Sequence, residues 1–259
     1  MISPRLTFYN IGNGVTAFST TRHGGVSKDS YGEFNINPYC GDTLEAVSEN
    51  REALVVELGI QSDRILLPHQ THGAEIRKIH TDFFSLPIEQ RQEWLDGVDG
   101  ILTDMQGVCI GVSTADCIPV LLYDEEHHAV GALHSGWRGT VRGIVAKAVR
   151  EMGAQFHVDA HNLKAVIGPG ISLENFEVGD EVYEEFAGAG FDMSRVARKY
   201  EKWHIDLPEC CRIQLIDMGV SSQNIQMAGV CTYSHVDDYF SARRLGIASG
   251  RIFTAIMIR

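Results

Sequence analysis

Short apolar runs, rather than long amphipathic stretches, dominate the middle of this chain, and they predict a bunch of strands. An opening hairpin is expected from residues 6–8 and 15–18, with Gly12-Asn13-Gly14 between them supplying the positive φ angles of a tight turn. A polar, glycine-containing loop follows over 20–39. Helical spacing of Leu44, Val47, Leu54, Val55 and Leu58 predicts a helix capped by Asp42 or Thr43 and ended by Gly59. Strands then come in quick succession at 65–67, 75–79, 98–102, 108–112, 118–123 and 129–133. Beyond them the pattern predicts a helix over 140–152, a strand at 163–167, helices at 181–186 and 208–218, and a closing strand at 252–258.

Helices seldom separate these strands, so a regular doubly wound sheet fits poorly, and a layered α/β (α+β) core of mixed sheets flanked by helices fits better. No linker, charge block, low-complexity run or internal repeat divides residues 1–259, which are read as a single domain. The longest apolar stretches, such as 118–123, are strand-length and far short of the ~20 residues that a membrane helix needs. The opening Met1-Ile2-Ser3-Pro4-Arg5 lacks a basic segment followed by an apolar one, so a cytoplasmic location is expected.

Charge narrows the partners. A formal net charge of -12 repels phosphate backbones and anionic membranes, and no basic stripe offsets it, so neither nucleic acid nor a membrane is expected. A small anion remains compatible with an acidic protein, because a few arginines and backbone N–H groups suffice to hold one. The expected partner is a small-molecule substrate, bound by a monomer or weak homodimer. The six cysteines, in a chain without a secretion signal, read as reduced thiols rather than a disulfide framework.

Candidate chemistry lies in three short stretches: Thr71-His72-Gly73, Thr114-Ala115-Asp116-Cys117 and His134-Ser135-Gly136-Trp137-Arg138-Gly139. Each sets a histidine or cysteine among small or turn-forming residues, and two of them fall at strand ends, where side chains converge on a cleft while the sheet holds their backbones. Together they read as a His/Cys/His metal site, which leaves a fourth tetrahedral position open, as in catalytic zinc. There is no G-x-G-x-x-G loop, Walker sequence, or H-x-E with P-C-x-x-C pattern, so nicotinamide, nucleoside-triphosphate and two-cysteine deaminase chemistry have no support.

These stretches, with His72-Gly73-Ala74-Glu75-Ile76, Ile167-Gly168-Pro169-Gly170-Ile171, Phe176-Glu177-Val178-Gly179, Thr21-Arg22-His23-Gly24-Gly25-Val26-Ser27, Cys231-Thr232-Tyr233 and Phe240-Ser241-Ala242-Arg243-Arg244, resemble the laccase-domain family. This family is also called YfiH-like or multicopper polyphenol oxidoreductase. The resemblance covers essentially the whole chain. It implies a single domain of layered mixed sheets and zinc held by His72, Cys117 and His134. It also implies phosphorolysis of adenosine, inosine and methylthioadenosine, and deamination of adenosine. Members have also been described as copper-dependent polyphenol oxidases, and some bacterial ones are linked to peptidoglycan precursors. Ser135 and Ala242 stand where many members carry an alanine and an aromatic residue, respectively.

Around the ligands, two readings stand for each further residue. Asp116 orients a ligand imidazole or serves as a base, or else caps its turn. Arg138, at the start of a helix, contacts phosphate or ribose, or else caps or forms a salt bridge. Arg51, Arg22 and Asn35 are pocket candidates; Cys231 lines the cleft or is a buried structural thiol. His69 is assigned to the surroundings of the site or the surface, and His127-His128 to a solvated hairpin tip. Two further chemistries remain open: a cysteine hydrolase or amidase in which His134 activates the Cys117 nucleophile, and copper-dependent phenol oxidation.

Overall fold

The computed structural model describes residues 2–259, and Met1, the first residue of the segment read for a leader, lies outside them. Three strands carry the centre: Cys109–Thr114, Ile118–Asp124 and Ala129–Ser135, in which every residue is buried. Near-continuous apolar runs of this kind form strands covered on both faces.

They belong to two sheets. The five-stranded sheet runs in the order Leu6–Tyr9, Val15–Thr20, Ile252–Ile258, Cys109–Thr114, Ile65–Leu66. The six-stranded sheet runs Ile225–Met227, Lys164–Ile167, Ile118–Asp124, Ala129–Ser135, Gly100–Thr103, Ile76–Lys78. Each mixes parallel and antiparallel pairs. The sheets pack face to face through Ile110, Val112, Leu121, Val130 and Ile256. Helices Ile144–Phe156 and Leu207–Asp217 cover the outer face of the six-stranded sheet, with Val145, Met152, Cys211 and Leu215 against Leu122 and Leu133. Helix Leu44–Leu58 covers the other sheet, with Leu54 and Leu58 against Phe18 and Phe253. The expected mixed α/β layering is observed, in the order helix, sheet, sheet, helix.

Local signals explain most boundaries. Thr43 accepts a hydrogen bond from the Ala46 N–H at the start of the first long helix, and Gly59 ends it in the left-handed region at φ 66°. The opening hairpin pairs Leu6 with Thr20 and Tyr9 with Ala17. Its loop takes positive φ at Gly12 and Gly14 but not at Asn13, so the expected Asn-Gly pair contributes through the glycine alone. The single helix expected over 140–152 is two, Trp137–Val141 and Ile144–Phe156, because Gly143 adopts φ 72° and breaks the ladder. Buried Gln214 mends the break: its amide donates to the Thr140 carbonyl and accepts from the Ala146 N–H. His134, expected just after its strand, lies inside it.

Elements without a prior signal are short. A three-stranded sheet of Glu177–Val178, Trp203–Ile205 and Ala197–Lys199, and helices Ile88–Trp94, Met193–Val196 and Ala242–Leu245, are too brief to establish a period. Among the described residues no helix is long and apolar enough to cross a membrane. All six cysteines are free thiols, as expected.

Candidate metal centre

The chain passes from the five-stranded to the six-stranded sheet through the turn between Thr114 and Ile118, and Cys117 sits on that corner. Asp116 holds the corner in a left-handed conformation, φ 91°. Its carboxylate accepts from the Thr232 hydroxyl at 2.8 Å and the Arg243 N–H at 2.7 Å, and its carbonyl accepts from the Ile171 N–H. Gly170 packs behind: a Cβ there would come within 2.3 Å of Ile118 Cδ1. The Asp116 carboxylate is thus engaged by two distant segments, at Thr232 and at the start of helix Ala242–Leu245, and among the described residues its hydrogen bonds reach neither His72 nor His134.

Orienting an imidazole falls instead to Asp99, a residue the motifs did not single out. Fully buried, Asp99 accepts from His134 Nδ1 at 2.7 Å. The same carboxylate accepts the backbone N–H groups of Thr71, His72 and Gly73 at 3.3, 3.0 and 2.7 Å. One side chain thus orients one imidazole and ties down the turn that carries the other, where His72 itself is left-handed at φ 60°. With Nδ1 donating to a carboxylate, Nε2 of His134 is the nitrogen free to bind a cation. A charge inside the apolar run predicted at 98–102 was the available signal.

The His72, Cys117 and His134 donor atoms all lie within 4.8 Å of one another. The rings of the two histidines meet edge to face, centroids 4.9 Å apart. Gly136 keeps this space clear, for a Cβ there would lie 3.0 Å from Cys117 Sγ, 3.2 Å from His72 Cδ2 and 3.7 Å from His134 Cε1. Two imidazoles, one thiolate, a carboxylate behind one imidazole and a glycine-lined gap match the donor set and support of a three-ligand metal centre.

Electrostatics agree. Burial pushes the Cys117 thiol up, but His134 and His72 outweigh it and leave it lowered to about 6. Burial pushes His134 down, but the Cys117 thiolate and Asp99 outweigh that and raise it to about 9. Burial likewise raises Asp99, yet His134 and the turn N–H groups hold it below the usual carboxylate range. Between about 6 and about 9 the pair is thus thiolate and imidazolium, and a cation must displace one proton, from His134. Calorimetric zinc titrations of the metal-free protein near neutral pH, in buffers of different ionisation heat, are expected to report about one proton released per zinc. Release of none would contradict the pairing.

The three clustered side chains line a cleft of about 280 Å³ whose other walls include Tyr39, Cys40 and Arg251. Other expected residues lie off it. Arg138 is exposed on its short helix with its guanidinium 4.2 Å from the Trp137 ring centroid. Arg51 donates to the Ser62 and Ile65 carbonyls and borders a neighbouring groove. Arg22 is spent on the Gly32 and Val236 carbonyls at 2.9 and 2.7 Å. Cys231 accepts from the Ser172 N–H and Asn175 amide; burial pushes its thiol up, but Ser172 and Ser234 outweigh this and bring it to about 7. Asn35 is fully buried and works indirectly: its oxygen accepts the backbone N–H groups of Asn37 and Arg251, two residues of the cleft wall. His69, not assigned as a ligand, packs against Tyr39 in the cleft wall with its ring tilted by 32°, centroids 4.4 Å apart, and pairs with Asp96. His127 and His128 occupy the expected turn. Ser135 bonds Thr140 in the interior, whereas Ala242 lines the cleft.

Comparison with known proteins places the chain. Residues 16–259 match the model of the multi-copper polyphenol oxidoreductase laccase family. The chain is 47% identical over 247 residues to a purine nucleoside phosphorylase of Bacteroides thetaiotaomicron, a match covering 94% of this chain and 92% of the relative. It is 40% identical over 255 residues to adenosine deaminase RL5 of an unknown prokaryotic organism, covering 97% of each. The crystal structure of YlmD from Geobacillus stearothermophilus superposes with a TM-score of 0.89 at 30% identity, over 97% of this chain and 94% of that one. With its fold and sequence both matched across almost their full length, the chain belongs to the multi-copper polyphenol oxidoreductase laccase family.

Proposed function

We propose that residues 1–259 act as one zinc-dependent purine nucleoside enzyme, which uses phosphate to split adenosine, inosine and methylthioadenosine into base and a ribose 1-phosphate and also deaminates adenosine. The observation that carries this reading is the His72, Cys117 and His134 cluster facing an open cleft. Relatives named purine nucleoside phosphorylase and adenosine deaminase, at 47% and 40% identity, supply the substrate class. Held by His72, Cys117 and His134, zinc would supply Lewis-acid activation of a substrate or water oxygen.

The protein's own part is positional. Asp99 fixes the His134 tautomer and the His72 turn, so the donors need little rearrangement. Gly136 leaves room beside them. In phosphorolysis a phosphate oxygen bonds to the ribose anomeric carbon as the bond to the purine nitrogen breaks and the base leaves with a proton. In deamination water adds at the amino-bearing carbon and ammonia leaves. Both need a cleft that orients the nucleoside against the centre.

A second reading has its own observation. Cys117, His134 and Asp99 are also in the order of a thiol, base and carboxylate relay, with the lowered thiol that a nucleophile requires. That geometry suits a cysteine hydrolase or amidase, for which the family resemblance suggests peptidoglycan precursors as substrates. Copper-dependent phenol oxidation is less well supported, because multicopper centres draw on more histidines than the cluster contains.

The test is to quantify bound metals and incubate the protein with adenosine, with and without phosphate, separating the products. Near-stoichiometric zinc and phosphate-dependent release of adenine are expected, both lost in His72→Ala and Cys117→Ala. Inosine formed without phosphate marks the deaminase branch. Turnover that survives a chelator but not thiol alkylation would replace the proposal with the hydrolase; oxygen consumption with several coppers per chain would replace it with the oxidase.

A further inference from the structure

Among the described residues, only two buried side-chain polar atoms lack a hydrogen-bond partner, the hydroxyl oxygens of Ser113 and Thr114. Both residues are more than nine-tenths buried, at 5% and 1% exposure, and both line the cleft of the His/Cys/His cluster. A buried hydroxyl left unpaired opposes folding, so an unpaired hydroxyl at a cleft wall calls for a ligand that completes it. Ser113 is otherwise well anchored: its N–H and carbonyl are both engaged by the Gln70 side chain. The wall is stiff and its hydroxyls remain free.

Charge indicates which ligand. In a chain of formal net charge -12, the lining of this cleft contains no Asp or Glu, and its one Arg or Lys is Arg251. Arg251 directly precedes Ile252, which pairs with Thr114, so the cation and the hydroxyls lie at the same end of two paired interior strands of the five-stranded sheet. Its two terminal nitrogens are held by the carbonyls of Ile247, Ser249 and Gly250, while its Nε has no hydrogen-bond partner among the described residues. Asn35 pins its backbone N–H. A guanidinium held in place beside unpaired hydroxyls, with no carboxylate opposing it, is suited to a tetrahedral oxyanion.

We propose that the Ser113-Thr114 end of its strand, through one of the two hydroxyls, and Arg251 form the inorganic phosphate subsite of this cleft. The hydroxyl on the cleft side donates to a phosphate oxygen and the guanidinium balances the charge. This inference rests on the phosphorolysis reading for its catalytic meaning, but binding of phosphate is measurable without turnover. Consecutive strand residues face opposite sides, so single substitutions apportion the roles.

The experiment uses the zinc-loaded protein, inorganic phosphate as the probe, and the variants Thr114→Val, Ser113→Ala and Arg251→Lys. Calorimetry gives phosphate affinity, steady-state kinetics give separate KM values for phosphate and adenosine, and thermal denaturation reports folding. Hydrogen bonds to a charged ligand lead us to expect phosphate Kd and KM to rise at least ~10-fold in Thr114→Val or Ser113→Ala, and in Arg251→Lys. The adenosine KM is expected to move much less. The melting temperature of Thr114→Val should hold or rise, because an unpaired hydroxyl is removed; a purely structural hydroxyl would lower it. That variant keeps the proposal open to refutation if Arg251→Lys disturbs its loop.

Wild-type phosphorolysis with unchanged phosphate affinity in all three variants would overturn the subsite and leave the phosphorolysis reading standing. Phosphate binding weakened by the substitutions, without adenosine cleavage, would establish the subsite and remove that reading. No phosphate binding by the wild type would overturn the subsite outright.

Discussion

Asp99→Asn is expected to cost the metal centre about 10–100-fold in zinc affinity and the fold about 3–5 kcal/mol, although Asp99 is not one of the three clustered donors. The carboxylate receives four donors: Oδ1 takes the His72 N–H and His134 Nδ1, and Oδ2 takes the N–H groups of Thr71 and Gly73. An amide has one accepting oxygen, so in either orientation its NH₂ faces N–H donors inside a fully buried site. Each unmet donor costs about 1–3 kcal/mol. The His134 tautomer that aims Nε2 at the cluster also loses its anchor. Competition of the variant against a chelating dye, with denaturant unfolding of the metal-free protein, reads both effects. Zinc affinity within twofold of wild type would show that Asp99 does not support the centre.

Gly136→Val should empty the centre while leaving the chain folded. The backbone at Gly136, φ -72° and ψ 169°, is open to any L residue, so the substitution carries no conformational penalty. Its side chain instead enters the gap between the ligands, starting 3.0 Å from Cys117 Sγ and 3.2 Å from His72 Cδ2. Metal sites tolerate ligand displacements of only about 0.5 Å, so zinc affinity is expected to fall by at least ~100-fold, with Gly136→Ala between the two. Metal content after dialysis and the unfolding midpoint of the metal-free protein separate binding from folding. A folded Gly136→Val protein retaining one zinc would refute the assignment of this gap.

Strands with complete apolar runs, such as Cys109–Thr114, Ile118–Asp124 and Ile252–Ile258, were legible because both of their faces are buried and every position carries the signal. The helix from Leu44 to Leu58 was legible because its cap and stop are local, in Thr43 and Gly59. The break at Gly143 was not. A glycine inside an apolar helical pattern is compatible with an unbroken helix, and Gln214, which satisfies the broken ends, lies about seventy residues away. The residues implied as ligands converge because each lies on a turn or strand end that a small-residue motif marks. Arg51, Arg22 and Arg138 were marked by charge and loop position alone, and charge does not say whether a guanidinium faces a cleft or a carbonyl.

The sequence by itself determined the strands, the reduced cysteines, and the three stretches that deliver His72, Cys117 and His134, since local pattern and motif spacing are properties of neighbours along the chain. Tertiary structure alone decided that Asp99 serves both histidines, that Gly136 leaves the gap between them, that Asp116 is tied to Thr232 and Arg243, and that Ser113 and Thr114 keep unpaired hydroxyls in the cleft lined by Arg251. The physical reason is hydrogen-bond satisfaction at close quarters. Which donor meets which acceptor depends on two sheets packing face to face and bringing distant segments within 3 Å, and no single segment encodes that distance.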